Sequence, residues 1–205
     1  NAVLLLESPL PAAGLKDVRI ALAPVDDRFR IDTTGQSALG PFDGVLGVTL
    51  QPGGTTQVAI ERMRVWQTDV TGGGTLADAG VSGRIALVGG GLDGNVTLAP
   101  RDGGQGFDAS MVGRNARFGG TRTLSIGNAR LTATGLVKDG HSTIEGNLLA
   151  EGIGVGKVFI GRLAAAAYLQ DGSGSVTASV SGRRGTRFAL QGTAAFAPDQ
   201  IVAYV

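Results

Sequence analysis

The chain has no cysteine and only one histidine, His141. Lack of cysteine excludes disulfides, thiol nucleophiles and thiolate metal sites; it suits the cytosol, or an oxidising compartment entered without covalent staples. With a single imidazole, no common transition-metal site can form around a histidine pair. A Ser-His-Asp arrangement would have to use His141 itself, which lies beside Asp139-Gly140, where a lone histidine is ordinarily solvated surface. No serine stands in a Gly-x-Ser-x-Gly elbow. An excess of one charge is also missing: 18 Lys and Arg balance 17 Asp and Glu. No run of like charge marks a nucleic-acid stripe or a polybasic membrane patch. Aromatic residues make up only 5%, so Trp66, Phe42, Phe107, Phe118, Phe159, Phe188 and Phe196 are expected to pack or line an apolar face. They are too few for a stacking platform for sugars or bases. Long apolar runs are absent, since Ala2 to Leu6 is too short for a signal core or a membrane span.

Glycine is what the sequence has in abundance, 35 of 205 residues against a usual ~7%. There is no Gly-X-Y period, and an apolar share of 42% argues against disorder. Glycine therefore punctuates structure. Between the glycines run strand-length segments with small or apolar residues at alternate positions, as in Val18, Ile20 and Leu22 against Arg19, Ala21 and Ala23. Period 2 gives each strand one apolar and one polar face.

The same grammar predicts strands at 45–51, 58–67, 83–88, 92–99, 107–112, 116–118, 123–126 and 130–134, then at 143–150, 157–170, 175–181, 186–197 and 200–205. Breaks are expected at Pro24 to Asp27, Pro52-Gly53-Gly54, Gly72-Gly73-Gly74, Gly89-Gly90-Gly91, Asp102-Gly103-Gly104, Asp139-Gly140, Asp171-Gly172 and Ala197-Pro198-Asp199. The alanine run in Leu163 to Leu169 has helix propensity. It reads as strand because Gly161 precedes it, Asp171-Gly172 closes it, and Ser175 to Ser181 can pair back. The resulting expectation is an all-β fold: one elongated, curled open sheet with an apolar interior, continuous over residues 1–205. A chain starting at Asn1 and ending in strand-like residues reads as an excerpt of a longer protein.

Three patterns suggest chemistry and fail on inspection. Gly152-Ile153-Gly154-Val155-Gly156-Lys157 resembles a phosphate loop, but Glu151 holds the first glycine position and Val158 the hydroxyl position. Gly103 to Asp108 matches part of a calcium-binding β-roll repeat without a tandem copy. Asp26, Asp27, Asp43, Asp93, Asp102, Asp139 and Asp171 stand at or beside turns, which accounts for them without acid–base work. No catalytic residue, cofactor or metal ligand is expected, and the chain reads as a non-enzyme.

From Lys157 onward the residues Arg162-Leu163-Ala164-Ala165-Ala166-Ala167-Tyr168-Leu169-Gln170-Asp171-Gly172, Ser181-Gly182-Arg183-Arg184-Gly185-Thr186-Arg187-Phe188-Ala189-Leu190-Gln191 and Ala197-Pro198-Asp199-Gln200-Ile201 resemble the middle region of the TamB family. These are AsmA-like translocation and assembly module proteins. Residues 1–156 match only in style. The resemblance implies a periplasmic trough, anchored to the inner membrane and reaching an Omp85-type outer-membrane partner through regions outside this segment. It also implies a part in phospholipid transfer and outer-membrane assembly. Phospholipid acyl chains are then the expected partner, and Leu163, Ala165, Ala167, Leu169, Val176, Ala178, Val180, Phe188 and Leu190 the expected groove lining. A structural or adhesive β-solenoid, such as an autotransporter passenger, is the alternative; its inward residues would fill a dry core.

Overall fold

The computed structural model describes residues 2–7, 15–37, 40–119, 123–156, 158–197 and 200–204. They form one sheet of fifteen strands: β1 (Ala2–Leu6), β2 (Lys16–Val25), β3 (Arg28–Ser37), β4 (Gly40–Leu50), β5 (Thr56–Val65), β6 (Thr68–Ala77), β7 (Gly80–Gly89), β8 (Leu92–Arg101), β9 (Gly104–Gly119), β10 (Thr123–Lys138), β11 (His141–Val155), β12 (Val158–Gln170), β13 (Ser173–Arg184), β14 (Thr186–Ala197) and β15 (Gln200–Tyr204). Strand order is sequence order, and β1 and β15 do not meet, so the sheet is open. Every pairing is antiparallel.

Local chemistry explains the meander. At Asp102-Gly103, Asp139-Gly140 and Asp171-Gly172 both residues have positive φ, the backbone of the two-residue hairpin whose twist matches that of its strands. Aspartate tolerates the first position and glycine the second. The alanine run lies within β12 and pairs on both sides, Leu163 with Ala150 and Val180. Pairing on two flanks satisfies every backbone group, which outweighs the helix propensity of alanine.

Pro100 in β8 has no N–H to offer β7. Gln105 of β9 fills the gap: Val81 N donates to Gln105 Oε1 at 2.7 Å, and Gln105 Nε2 donates to Val81 O at 3.0 Å. A β9 side chain thus completes the backbone of β7 across β8. At the other margin Trp66 Nε1 donates to Arg117 O at 3.1 Å, although β6 and β9 would stand about 14 Å apart in a flat sheet. Both contacts require the sheet to curl.

Strands β9 to β12 are longer than those before them, and each bends at one level. Along this line stand Asn115 (φ 49°), Gly127, Gly152 (φ 67°) and Gly161. Buried Ala150 and Ile153 are three residues apart, so the alternation changes parity at Gly152. A pairing shift between Ile160 and Arg162 marks the same bend in β12. Beyond it the strand tips fold over as a hem. Ala116, Phe118 and Ile153 are buried there, and Thr68 and Val70 are buried in β6, whose preceding turn carries the Trp66 contact.

Several expected breaks are corrected. Gly72-Gly73-Gly74 lies inside β6; the turns around it are at Trp66-Gln67 and Asp78-Ala79. A Cβ on any of the three would press into the backbone of β5 or β7, so glycine here permits close strand approach. Residues 107–112 and 116–118 belong to one strand, as do 123–126 and 130–134, because the bends do not end pairing. Glycines 152 and 154 lie within β11 rather than in a turn. Lys157, the Pro198-Asp199 turn and Val205 lie outside the described residues.

Candidate functional site

Paired residues share a face and neighbours along a strand alternate, so the register assigns every strand residue to a side. Leu163, Ala165, Ala167 and Leu169 of β12 face with Val180, Ala178, Val176 and Gly174 of β13. Val180, Ala178 and Val176 face in turn with Leu190, Gly192 and Ala194 of β14, and Gly182 faces with Phe188. The nine residues singled out from sequence therefore form one contiguous patch. Arg162 and Tyr168 belong to the opposite face and are exposed.

The same face continues through the whole sheet, well past those nine. It takes in Ile20 and Leu22, Phe29 and Ile31, Leu46 and Val48, Val58 and Ile60, Ile85 and Leu87, Val96 and Leu98, and Ala129 and Leu131. Among the described residues from Val18 to Ala194, no Asp, Glu, Lys, Arg or His lies on it. Three of its few polar side chains are turned into backbone, while Thr33, Thr56 and Ser142 bring small hydroxyls to the same face. Ser37 Oγ donates to Gly40 O at 2.8 Å, Thr68 Oγ1 to Gly89 O at 3.2 Å, and Gln105 is held by Val81. The earlier strands were missed as lining because the expected site followed the resembling segment, although the alternation that identifies them is as clear at Ile20 as at Leu163.

Three phenylalanines lie flat on this face against glycines: Phe42 over Gly35, Phe107 over Gly135 and Phe188 over Gly182. In each case a Cβ on the glycine would collide with the ring. The pairing removes a ridge that a standing aromatic ring would make, and leaves a smooth apolar surface. It is also poorly covered: Leu22 and Phe29 are exposed at 37% and Leu190 at 55%. A sheet face of this extent ordinarily packs against a second layer, and contiguous exposed apolar surface marks a place of binding.

The opposite face carries the charge. Arg30 and Asp32 pair at 2.8 Å, Arg64 and Asp69 at 2.7 Å, and Arg101 and Asp108 at 3.2 Å. Hydrogen bonds from the arginines hold the Asp32 and Asp69 carboxyls below their ordinary range. Such exposed pairs, the first along β3 and the other two between neighbouring strands, contribute little stability. Val45 is buried on this side between Asp32 and Arg62.

His141 sits at the β10–β11 turn as expected, but it has a partner. Its Nδ1 lies 2.9 Å from Asp171 Oδ2, Ser142 N donates to Asp171 Oδ1 at 2.6 Å, and Asp171 N donates to Ser142 O at 2.8 Å. The imidazole bond and then the backbone bond lower the Asp171 pKa. The arrangement ties two neighbouring hairpin turns together on the solvent margin, with no serine nucleophile in it. Among the described residues no group of three His, Asp or Glu side chains could hold a metal ion. No family model, curated protein or solved structure matches the chain.

Proposed function

We propose that this chain is a section of a non-enzymatic conduit for phospholipid acyl chains, of the TamB kind, working in the periplasm between inner and outer membranes. The observation that carries the reading is an apolar face on which no charged residue lies among the described residues from Val18 to Ala194. An acyl chain leaving a bilayer loses about 0.8 kcal/mol per CH₂ exposed to water, so a carrier must replace that contact without interruption. Fifteen strands at about 4.8 Å each give a path on the order of 70 Å.

Smoothness matters as much as polarity. With phenyl rings laid over glycines and no anchoring polar group, a sliding chain exchanges like contact for like, which keeps barriers low and selectivity for chain identity poor. The sequential antiparallel order disfavours the β-solenoid alternative, whose coils stack in parallel. Membrane anchoring and docking to an Omp85-type partner fall to regions outside this segment.

The test is site-specific photocrosslinking in cells. Crosslinkers at Leu163, Leu169 and Ile31 should capture phospholipid, and crosslinkers at Arg162 or Tyr168 should not. Equal capture from both faces refutes a directional trough.

A further inference from the structure

At the hem margin the described ends of β9 to β14 contain Arg117, Arg183 and Arg187 and no acidic residue. The register lines up a transverse row at this margin: Arg117, Ser125, Gly154, Phe159, Arg183 and Arg187. Arg183 and Arg187 are direct cross-strand partners. Like charges placed opposite one another are destabilising. Neither guanidinium has a hydrogen-bond or ion-pair partner among the described residues. Elsewhere on the outer face Arg28, Arg30, Arg62, Arg64 and Arg101 have carboxylate partners; Arg19, Arg84, Arg130 and Arg162 stand without one among the described residues, but none of these faces another arginine across a strand pair. The opposite margin has the reverse character, its turns carrying Asp26, Asp27, Asp78, Asp102, Asp139 and Asp171.

A concavity at the basic margin is lined by Phe159, Gly182, Arg183, Arg187 and Phe188. Phe188 and Gly182 belong to the apolar face and the two arginines to the outer face, so the concavity straddles the rim. Phe159, exposed at 47%, stands across from Arg183. An amphiphile with an anionic head meets both of its requirements within this one feature: an apolar surface for the tail, and two forked donors in search of an anion for the head.

We infer that the Arg183–Arg187 margin binds the anionic phosphate headgroup of a lipid whose acyl chains lie on the apolar face, so that lipids travel with their heads on the basic rim and away from the acidic one. This rests on the conduit reading above and adds headgroup selection and orientation to it. Arg183 and Arg187 come from a single hairpin, β13–β14, and Phe159 from the neighbouring strand β12 completes the concavity.

The experiment measures binding of the whole chain to two short-chain lipids below their micelle concentration, phosphatidylglycerol and phosphatidylcholine of equal acyl length, with glycerol phosphate as the tail-free probe. Wild type should prefer phosphatidylglycerol by about tenfold at low salt, the size of one net charge-assisted contact. R183Q/R187Q should lose that preference while keeping its phosphatidylcholine affinity and its melting temperature. R183K/R187K should keep part of the preference, and R130Q, on the same face but away from the rim, all of it. Equal wild-type affinity for the two lipids overturns the inference, as does a preference that survives R183Q/R187Q. Glycerol phosphate binding as tightly as the lipid would assign the site to a free phosphate ester instead, which also overturns it. Absence of binding by either lipid would refute the conduit reading itself, a result distinguishable from loss of headgroup preference alone.

Discussion

Strands β2 to β8 run ten or eleven residues, whereas β9 to β12 run thirteen to sixteen. The extra residues lie beyond the bend at Asn115, Gly127, Gly152 and Gly161, and three of the seven buried apolar residues in the described structure are among them. Ala116 is 1% exposed, and Phe118 and Ile153 are each 7% exposed. On β14, which has no such bend, Leu190 on the same apolar face is 55% exposed. A single sheet layer cannot bury its own face. Beyond the bend the longer strands add a dry core, besides the scattered burial of Val18, Val45 and Val70 in the shorter strands. Stability and the open surface are thereby assigned to different parts of one sheet, so the apolar face can stay uncovered without the fold depending on it.

The sharpest way to break this comparison is to place the same carboxylate in both regions. Ile153→Asp buries a charge in the hem and should cost more than about 4 kcal/mol, enough to lose the melting transition or shift it by tens of degrees. Leu190→Asp leaves a carboxylate that water reaches, and should change stability by about 1 kcal/mol or less. The two variants should separate in function in the opposite sense: Leu190→Asp remains folded but obstructs an acyl chain, seen as reduced lipid transfer. Similar melting losses in both would erase the distinction between hem and trough. A folded Leu190→Asp with undiminished transfer would remove the conduit.

A smaller effect sharpens the account of curvature. Gln105→Leu deprives Val81 N–H and C=O of the side chain that bridges β8. Since Val81 is only half-buried, water replaces part of the loss, and the cost should be roughly 1 kcal/mol. The specific readout is hydrogen exchange: the Val81 amide should exchange faster while amides in β12 and β13 are unaffected. An unchanged Val81 amide would mean that the bridge does not hold the curl.

Much of the fold was legible because a period of 2 leaves little choice of face. The alternation around Ile20 or Leu163 and the Asp-Gly pairs at 102, 139 and 171 locate strands, faces and turns from local chemistry alone. Gly72-Gly73-Gly74 misleads, because a glycine triplet reads as a turn whether glycine supplies positive φ or removes a Cβ from a crowded strand contact. Gly152 reads as part of a turn for the same reason, and the strand expected at 157–170 gives no sign of the bend at Gly161: a parity change inside a paired strand has no compositional mark of its own. The facing of the nine lining residues followed from alternation. The hem could not be seen, since it depends on which distant strands end side by side; Arg183 and Arg187 lie in one hairpin, but the concavity they share with Phe159 and Phe188 depends on the register.

The smallest expected effect concerns the margin opposite the arginines. Asp171 is held by His141 Nδ1 and by Ser142 N, and these bonds lower its pKa from the ordinary 3.8. A carboxyl whose folded-state pKa is depressed stabilises the fold fully above its unfolded value, and that contribution fades as pH falls through the lower folded value. Asp171→Asn should therefore melt slightly below wild type at pH 5 and above, and the gap should close as the buffer is taken down through and below the ordinary carboxylate range. The group is exposed, so screening keeps the gap small. A gap that is constant from pH 6 to pH 2 would show that Asp171 contributes through its turn geometry alone, with positive φ tolerated equally by asparagine, and would reduce the His141 contact to an incidental one.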